Sequence, residues 1–291
     1  MPGGIDAPMK LLTKFIDLIL YSNLWIALAA VGMCWQSEFL LFGAFEWSPY
    51  TGFVLFGTLF LYAPPRLSGL TRVQPFRDTG RYQVIARYRR HITLYALFAA
   101  GAGSWYYLRL PFFLKWQLII PCLIGLAYVM PVLRGARRLR DLHYVKIFLI
   151  AIAWAWITAI LPAAARSWAL TAPALLMTLE RAFFVFALTL PFDVRDLQVD
   201  AYTEVRTLPS RFGIRRTRFL AAADLAIMLL FSWSNYRLDT YTAGTLAALH
   251  LSAFLSYALI YFADRIDHDY YFSGALDGML LLQFLLVLWW A

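Results

Sequence analysis

Long apolar runs recur along the whole chain, and each is closed by a short polar or basic stretch. A hydrocarbon core of ~30 Å takes about 20 apolar residues in helical form. On that measure the pattern predicts nine membrane-crossing helices, over residues 11–36, 48–64, 92–109, 112–132, 145–163, 172–192, 217–235, 242–263 and 272–290. The expected fold class is therefore all-α, a polytopic membrane protein with residues 1–291 forming one transmembrane domain. The first run is too long for a removable signal peptide, and no basic residue precedes it within residues 1–9.

The charged positions give the bundle a direction. Seven arginines fall between Arg66 and Arg90, after the second predicted helix. Arg134, Arg137, Arg138, Arg140 and Lys146 follow the fourth, and Arg195, Arg206, Arg211, Arg215 and Arg216 follow the sixth. The alternate connections carry little more than Arg109, Lys115, Arg166 and Arg237. The positive-inside rule makes the basic connections cytoplasmic, which predicts a cytoplasmic (inner) membrane protein with its N-terminus inside and its C-terminus outside.

Composition agrees with that assignment. Of 291 residues, 62% are hydrophobic and only 15% charged, against a charged share of about 25% in soluble domains. The net charge of +9 belongs to topology and to contact with anionic membrane lipids rather than to nucleic acid binding. Cys34 and Cys122 both lie in apolar runs without metal-type spacing and are read as packing residues.

Candidate chemistry concentrates at the end of the sixth run, Leu190-Pro191-Phe192-Asp193-Val194-Arg195-Asp196-Leu197-Gln198-Val199-Asp200. At i, i+3 and i+7 on one helix, Asp193, Asp196 and Asp200 share a face and repel one another. A hard divalent cation among them relieves that repulsion, and Mg2+ held by carboxylates completes its shell with water and substrate phosphate. The plainer alternative is a solvated helix end whose acids pair with Arg195, Arg206 and Arg211. If Glu180 and Arg181 mark the outer end of this helix, the acids lie within the bilayer profile and line a polar cavity open to the cytoplasm; a helix starting near Pro173 leaves them at the surface.

Four other stretches bear on the site. Pro64-Pro65 is expected to end the second helix, and the basic loop after it either contacts anionic lipid or covers a diphosphate. Lys146 opens the fifth helix, either as a snorkelling anchor or as a point charge for a phosphate oxygen. The acids from Asp264 to Asp269 read as a solvated loop rather than a metal patch. Phe183, Phe184 and Phe186 are candidates for lining a hydrocarbon tail.

Together these residues resemble the UbiA-type prenyltransferase superfamily, intramembrane enzymes that join isoprenoid chains to acceptors. The likeness rests on Asp193-Val194-Arg195-Asp196-Leu197-Gln198-Val199-Asp200, on Arg206-Thr207-Leu208-Pro209 with Phe212-Gly213 after it, and on the motif's place after the sixth of nine helices. It implies a bundle around a central cavity open to the cytoplasmic side, and a transferase of alkyl groups other than methyl. Asp193, Asp196 and Asp200 would hold Mg2+, and Lys146, Arg206, Arg66 and Arg72 would bind the diphosphate. The substrates would be a prenyl diphosphate and a lipophilic acceptor. The chain departs from the family at its first acidic motif. Tyr62-Ala63-Pro64-Pro65-Arg66-Leu67-Ser68-Gly69-Leu70 carries no carboxylate, and Arg66 and Arg72 are the residues available to replace one metal by fixed positive charge. The missing motif motivates a second expectation, a catalytically inactive protein of the same fold that binds an isoprenoid lipid or a membrane partner. A transporter is less favoured, because no paired short or Gly-interrupted helices mark a transport site.

Overall fold

The computed structural model describes residues 6–72, 80–131 and 138–291. It is helical throughout, with no strand among the described residues. The helices are α1 (Asp6–Tyr21), α2 (Leu24–Phe42), α3 (Pro49–Arg72), α4 (Gly80–Arg87), α5 (Arg89–Leu108), α6 (Phe112–Val129), α7 (Val145–Ala164), α8 (Ala172–Arg195), α9 (Leu197–Tyr202), α10 (Leu208–Phe212), α11 (Ile214–Arg237), α12 (Ala243–Phe262) and α13 (Tyr271–Trp290). Seven described helices are long and apolar enough to cross a membrane: α2, α6, α7, α8, α11, α12 and α13. The chain is thus an integral membrane protein. Two further expected spans, α3 and α5, run for 24 and 20 residues but are not among those seven. Their polar ends, Arg66 to Arg72 on α3 and Arg89-Arg90-His91 on α5, dilute the apolar run.

Packing follows from which side chains are small. In lipid an apolar side chain gains little by leaving the hydrocarbon, so helices associate where small residues let backbones approach and polar groups pair. Gly52 of α3 is such a place: a Cβ there would meet the Tyr106 ring of α5 at 2.5 Å. The main core joins α2, α7, α8, α11, α12 and α13 around Met33, Met177, Phe184 and Phe272. A second cluster joins α2, α3, α6 and α7 around Leu114, Leu118 and Leu161.

Two expectations are corrected here. The helix α3 does not end at its prolines; Pro64 and Pro65 lie inside it. They deprive the Phe60 and Leu61 carbonyls of helical donors, yet Arg66, one residue on, donates to the backbone oxygens of Tyr21 (2.7 Å) and Leu20 (3.2 Å) and ties the turn to α1. Nor do Glu180 and Arg181 mark the outer end of α8, which starts at Ala172 after Thr171. Both side chains are core, at 1% and 0% exposure. Arg181 donates to Thr158 Oγ1 (2.9 Å) and to the Met33 carbonyl (3.1 Å), and Ser232 donates to Glu180 (3.0 Å). With α8 beginning at Ala172, its 24 residues span about 36 Å, so helix length alone does not draw the acids into the bilayer profile. Packing buries them instead.

The helices α7 and α13 each contain a π-helical stretch, Trp156–Ile160 and Tyr271–Leu276. Such widened turns are rare and concentrate at functional sites. In α7 the carbonyls they loosen are taken by neighbouring helices: Ser37 donates to Thr158 O at 2.6 Å and Tyr50 to Ile157 O.

Candidate functional site

The ends of α3, α6 and α8 and the starts of α7 and α13 meet at the arginine-rich end of the bundle. Left-handed Tyr144 (φ 61°) turns the chain into α7, and its N–H donates to the Arg206 carbonyl at 2.9 Å. This stitching sets Lys146 in the first turn of α7, facing α8.

Lys146 Nζ lies 2.9 Å from Asp193 Oδ1 and 2.8 Å from Asp200 Oδ2, with the three side chains only 12, 8 and 13% exposed. Two of the three expected aspartates are therefore brought to one cation position. Asp196 is not: α8 ends at Arg195, Asp196 takes a turn conformation (φ −88°, ψ 7°), and α9 begins after it. The expected single helical face breaks at that turn. Asp196 accepts from Arg195 Nε at 2.9 Å, and Arg195 Nη1 reaches Asp269 Oδ1 at 3.1 Å. The pairing expected for a plain helix end thus holds for Asp196 alone. Burial pushes the Asp200 carboxyl above its ordinary range, against the opposing pull of Lys146.

Lys146, Arg195, Asp196, Asp200 and Asp269 border a cavity of about 280 Å³, whereas Asp193 is not part of its lining. Its cations are Arg66, Arg138, Arg140, Lys146 and Arg195, and its carboxylates Asp141, Asp196, Asp200, Asp269 and Asp277. A second cavity, also of about 280 Å³, lies deeper between α3, α6 and α7 and is apolar, with Leu61, Ile124, Leu149, Ala153 and Trp154 among its walls. Tyr62, Pro65, Arg66 and Arg140 line both. Arg140 lies over the Tyr128 ring at 5.7 Å and Arg66 over the Tyr21 ring at 5.7 Å. The result is a hydrocarbon-sized chamber whose mouth is collared by guanidinium groups and opens onto a charged vestibule.

Of the residues expected to bind diphosphate, Lys146 and Arg66 line the vestibule. Arg206 does not; its side chain is exposed, and its backbone serves the turn before α7. The side chain of Arg72 lies outside the described residues. The phenylalanines of α8 are placed elsewhere: Phe184 is in the main core, Phe183 stacks on Phe231, and Phe186 packs on Phe148. Asp264 pairs with Arg218, in keeping with a structural loop. Asp269, expected in a solvated loop, instead lines the vestibule, and Asp277 beside it is a residue that sequence reasoning did not single out. A signal was present, because Asp277 is the lone charged residue in residues 270–291, and an ionisable group inside a span is a functional candidate by default.

For a magnesium ion the donor set has the right chemistry, since it is all carboxylate oxygen. Its arrangement is narrower than expected. Asp193 and Asp200 flank one cation position, which the Lys146 ammonium holds. Among the described residues no three Asp, Glu, His or Cys side chains stand together as a metal site.

No family profile matches the chain, and no curated protein does. A solved structure of digeranylgeranylglyceryl phosphate synthase, studied in membranes, is similar, with a TM-score of 0.55 and 13% identity over 96% of this chain and 96% of that one. The likeness is one of fold, and the fold is that of the UbiA-type prenyltransferases.

Proposed function

We propose, from the UbiA-type fold that the chain carries, that the protein transfers a prenyl group from a prenyl diphosphate to a lipophilic acceptor within the membrane. The observation that carries this reading is the pair of adjoining cavities joined at Tyr62, Pro65, Arg66 and Arg140. An apolar tail fits the inner chamber, and a polyanionic head fits the collar, where guanidinium groups bind phosphate with two parallel hydrogen bonds. In this reading α3 and α5 also cross the membrane, giving nine spans in a cytoplasmic membrane, with the N-terminus inside, the C-terminus outside and the vestibule open to the cytoplasm.

The chain's own residues divide the work. Arg66 and Arg140 receive the head and hold C1 at the junction of the two cavities. Lys146 can turn from its carboxylates to a phosphate oxygen and favour departure of the diphosphate with the electron pair of the C1–O bond. The Tyr62 ring at the junction and the Tyr128 ring in the chamber wall stabilise the allylic cation by ~0.5 to 2 kcal/mol each. The chamber excludes water. Mg2+ arriving with the diphosphate would be held by Asp193 and Asp200, with Asp196 joining them only on release from Arg195, and would supply further charge neutralisation.

Purified protein in lipid nanodiscs, given geranyl, farnesyl and geranylgeranyl diphosphates with phenolic and glyceryl phosphate acceptors, is expected to release diphosphate and form a prenylated product. Asp193→Ala with Asp196→Ala is expected to abolish that turnover, and undiminished turnover in the double variant would defeat the proposed role. A second reading, a non-catalytic protein that binds an isoprenoid lipid or a membrane partner, is favoured by one observation: no carboxylate lies between Tyr62 and Leu70. It predicts a co-purifying lipid and no diphosphate release.

A further inference from the structure

The charged groups of the vestibule are paired with one exception among its carboxylates. Asp196 and Asp269 are held by Arg195, Asp200 by Lys146, and Asp141 by Arg138. Asp277 lines the same cavity, yet no hydrogen bond or ion pair reaches its carboxyl among the described residues. A carboxylate in a spanning helix is costly unless something polar or cationic faces it, and here the Arg195 and Arg66 guanidiniums act on it through space without a direct contact.

The side chain is also held in place. Asp277 directly follows the π-helical stretch Tyr271–Leu276 of α13, and with Ser273 at i−4 it presents one face to the vestibule. The turn is fixed from behind. Trp25 Nε1 donates to the Gly274 carbonyl at 3.0 Å, and a Cβ on Gly278 would meet that same indole at 3.2 Å. A widened turn pinned by another helix aims the carboxyl rather than leaving it to wander.

Resting on the prenyl-transfer reading above, we infer that Asp277 is the general base for the acceptor. Its place in the vestibule suits an acceptor whose attacking atom carries a proton, such as a hydroxyl. Once the C1–O bond has broken with its electrons left on the diphosphate, the acceptor oxygen uses a lone pair to form the new bond to C1 of the allylic cation, and the O–H proton passes to Asp277. No oxidant or further reactant is required. Arg195 bonds directly to two aspartates and Arg66 to two backbone carbonyls; both act on Asp277 only through space, together with the like charge of Asp269, so no hydrogen bond occupies the carboxylate that takes the proton.

The test compares wild type, Asp277→Asn and Asp277→Glu in nanodiscs. Farnesyl thiodiphosphate binding, by calorimetry, reports the fold and the head site; kcat and its pH profile report the proton transfer. The inference expects thiodiphosphate affinity within two-fold of wild type in all three. It expects kcat lower by about 10²-fold or more in Asp277→Asn, loss of the acidic limb of the pH profile in that variant, and partial recovery in Asp277→Glu. Turnover retained in Asp277→Asn overturns the inference and leaves the prenyl-transfer reading standing. Thiodiphosphate affinity lost with turnover also overturns it, since Asp277 would then serve the head site. Wild type that binds thiodiphosphate but transfers to no acceptor overturns both.

Discussion

Lys146 of α7 and Asp200 of α9, 54 residues apart in the chain, meet at 2.8 Å. The ammonium sits between Asp200 and Asp193, where the family pattern would put a metal ion. Removing one partner of a buried pair leaves the other charge unmatched, at about 3–5 kcal/mol. Lys146→Met, which keeps the length and loses the charge, is expected to lower the unfolding temperature in EDTA. Millimolar Mg2+ should restore part of the loss in the variant and add less to wild type. Equal responses in a thermal-unfolding assay would show that the position does not accept a divalent cation.

The raised Asp200 carboxyl gives a pH dependence whose sign can be worked out. Burial lifts its folded value above the ordinary 3.8. Between those two values the folded state binds more protons than the unfolded state, so this group's contribution to stability falls as pH rises through the folded value. Asp200→Asn removes the titration. Its stability from pH 4 upward is expected to follow a flatter course than wild type, measured as unfolding temperature against pH. A curve parallel to wild type would place the titration elsewhere.

Arg140 is the cleaner probe of the collar, because Arg66 also holds the Leu20 and Tyr21 carbonyls and its loss would disturb α1. A charge-assisted hydrogen bond contributes about 1.5–3 kcal/mol. Arg140→Met is therefore expected to weaken farnesyl thiodiphosphate binding by roughly ten-fold or more, with the unfolding temperature little changed. Unaltered affinity would remove Arg140 from the head site.

The parts of this site that the sequence discloses are those fixed by local rules. Apolar run length places the end of α6 and the start of α7, and the spacing of Asp193, Asp196 and Asp200 marks the acidic cluster, though only Asp193 and Asp200 of the three converge. What it conceals depends on which neighbours surround a residue. Pro64 and Pro65 read as a stop signal, and only the clamp of Arg66 on α1 explains how the helix passes through them. Glu180 and Arg181 read as an interfacial pair, but Ser37, Thr158 and Ser232 on three other helices make a buried site for them. Phe183, Phe184 and Phe186 illustrate the same limit. In a helix that is apolar all round, periodicity does not distinguish lipid from core or cavity, so the tail chamber formed instead from Leu61, Ile124, Leu149 and Trp154 could not be assigned from composition.

That chamber makes a prediction of its own. Ala153 lines it on α7, opposite Leu61 of α3 and Ile124 of α6, and a larger side chain there takes volume from the cavity and from nothing else on the head side. Ala153→Phe is expected to discriminate by tail length: affinity for geranylgeranyl thiodiphosphate should fall at least ten-fold, while that for the geranyl analogue, which needs less of the chamber, should fall by less than three-fold. The reasoning is steric, since each displaced methylene forfeits about 0.8 kcal/mol of burial, and two lost methylenes already amount to roughly ten-fold. Calorimetric titration of both analogues against wild type and variant measures the ratio directly. Equal losses for the two would mean that Ala153 meets only the part of the tail common to both, and full affinity for both would mean that the tail does not reach Ala153.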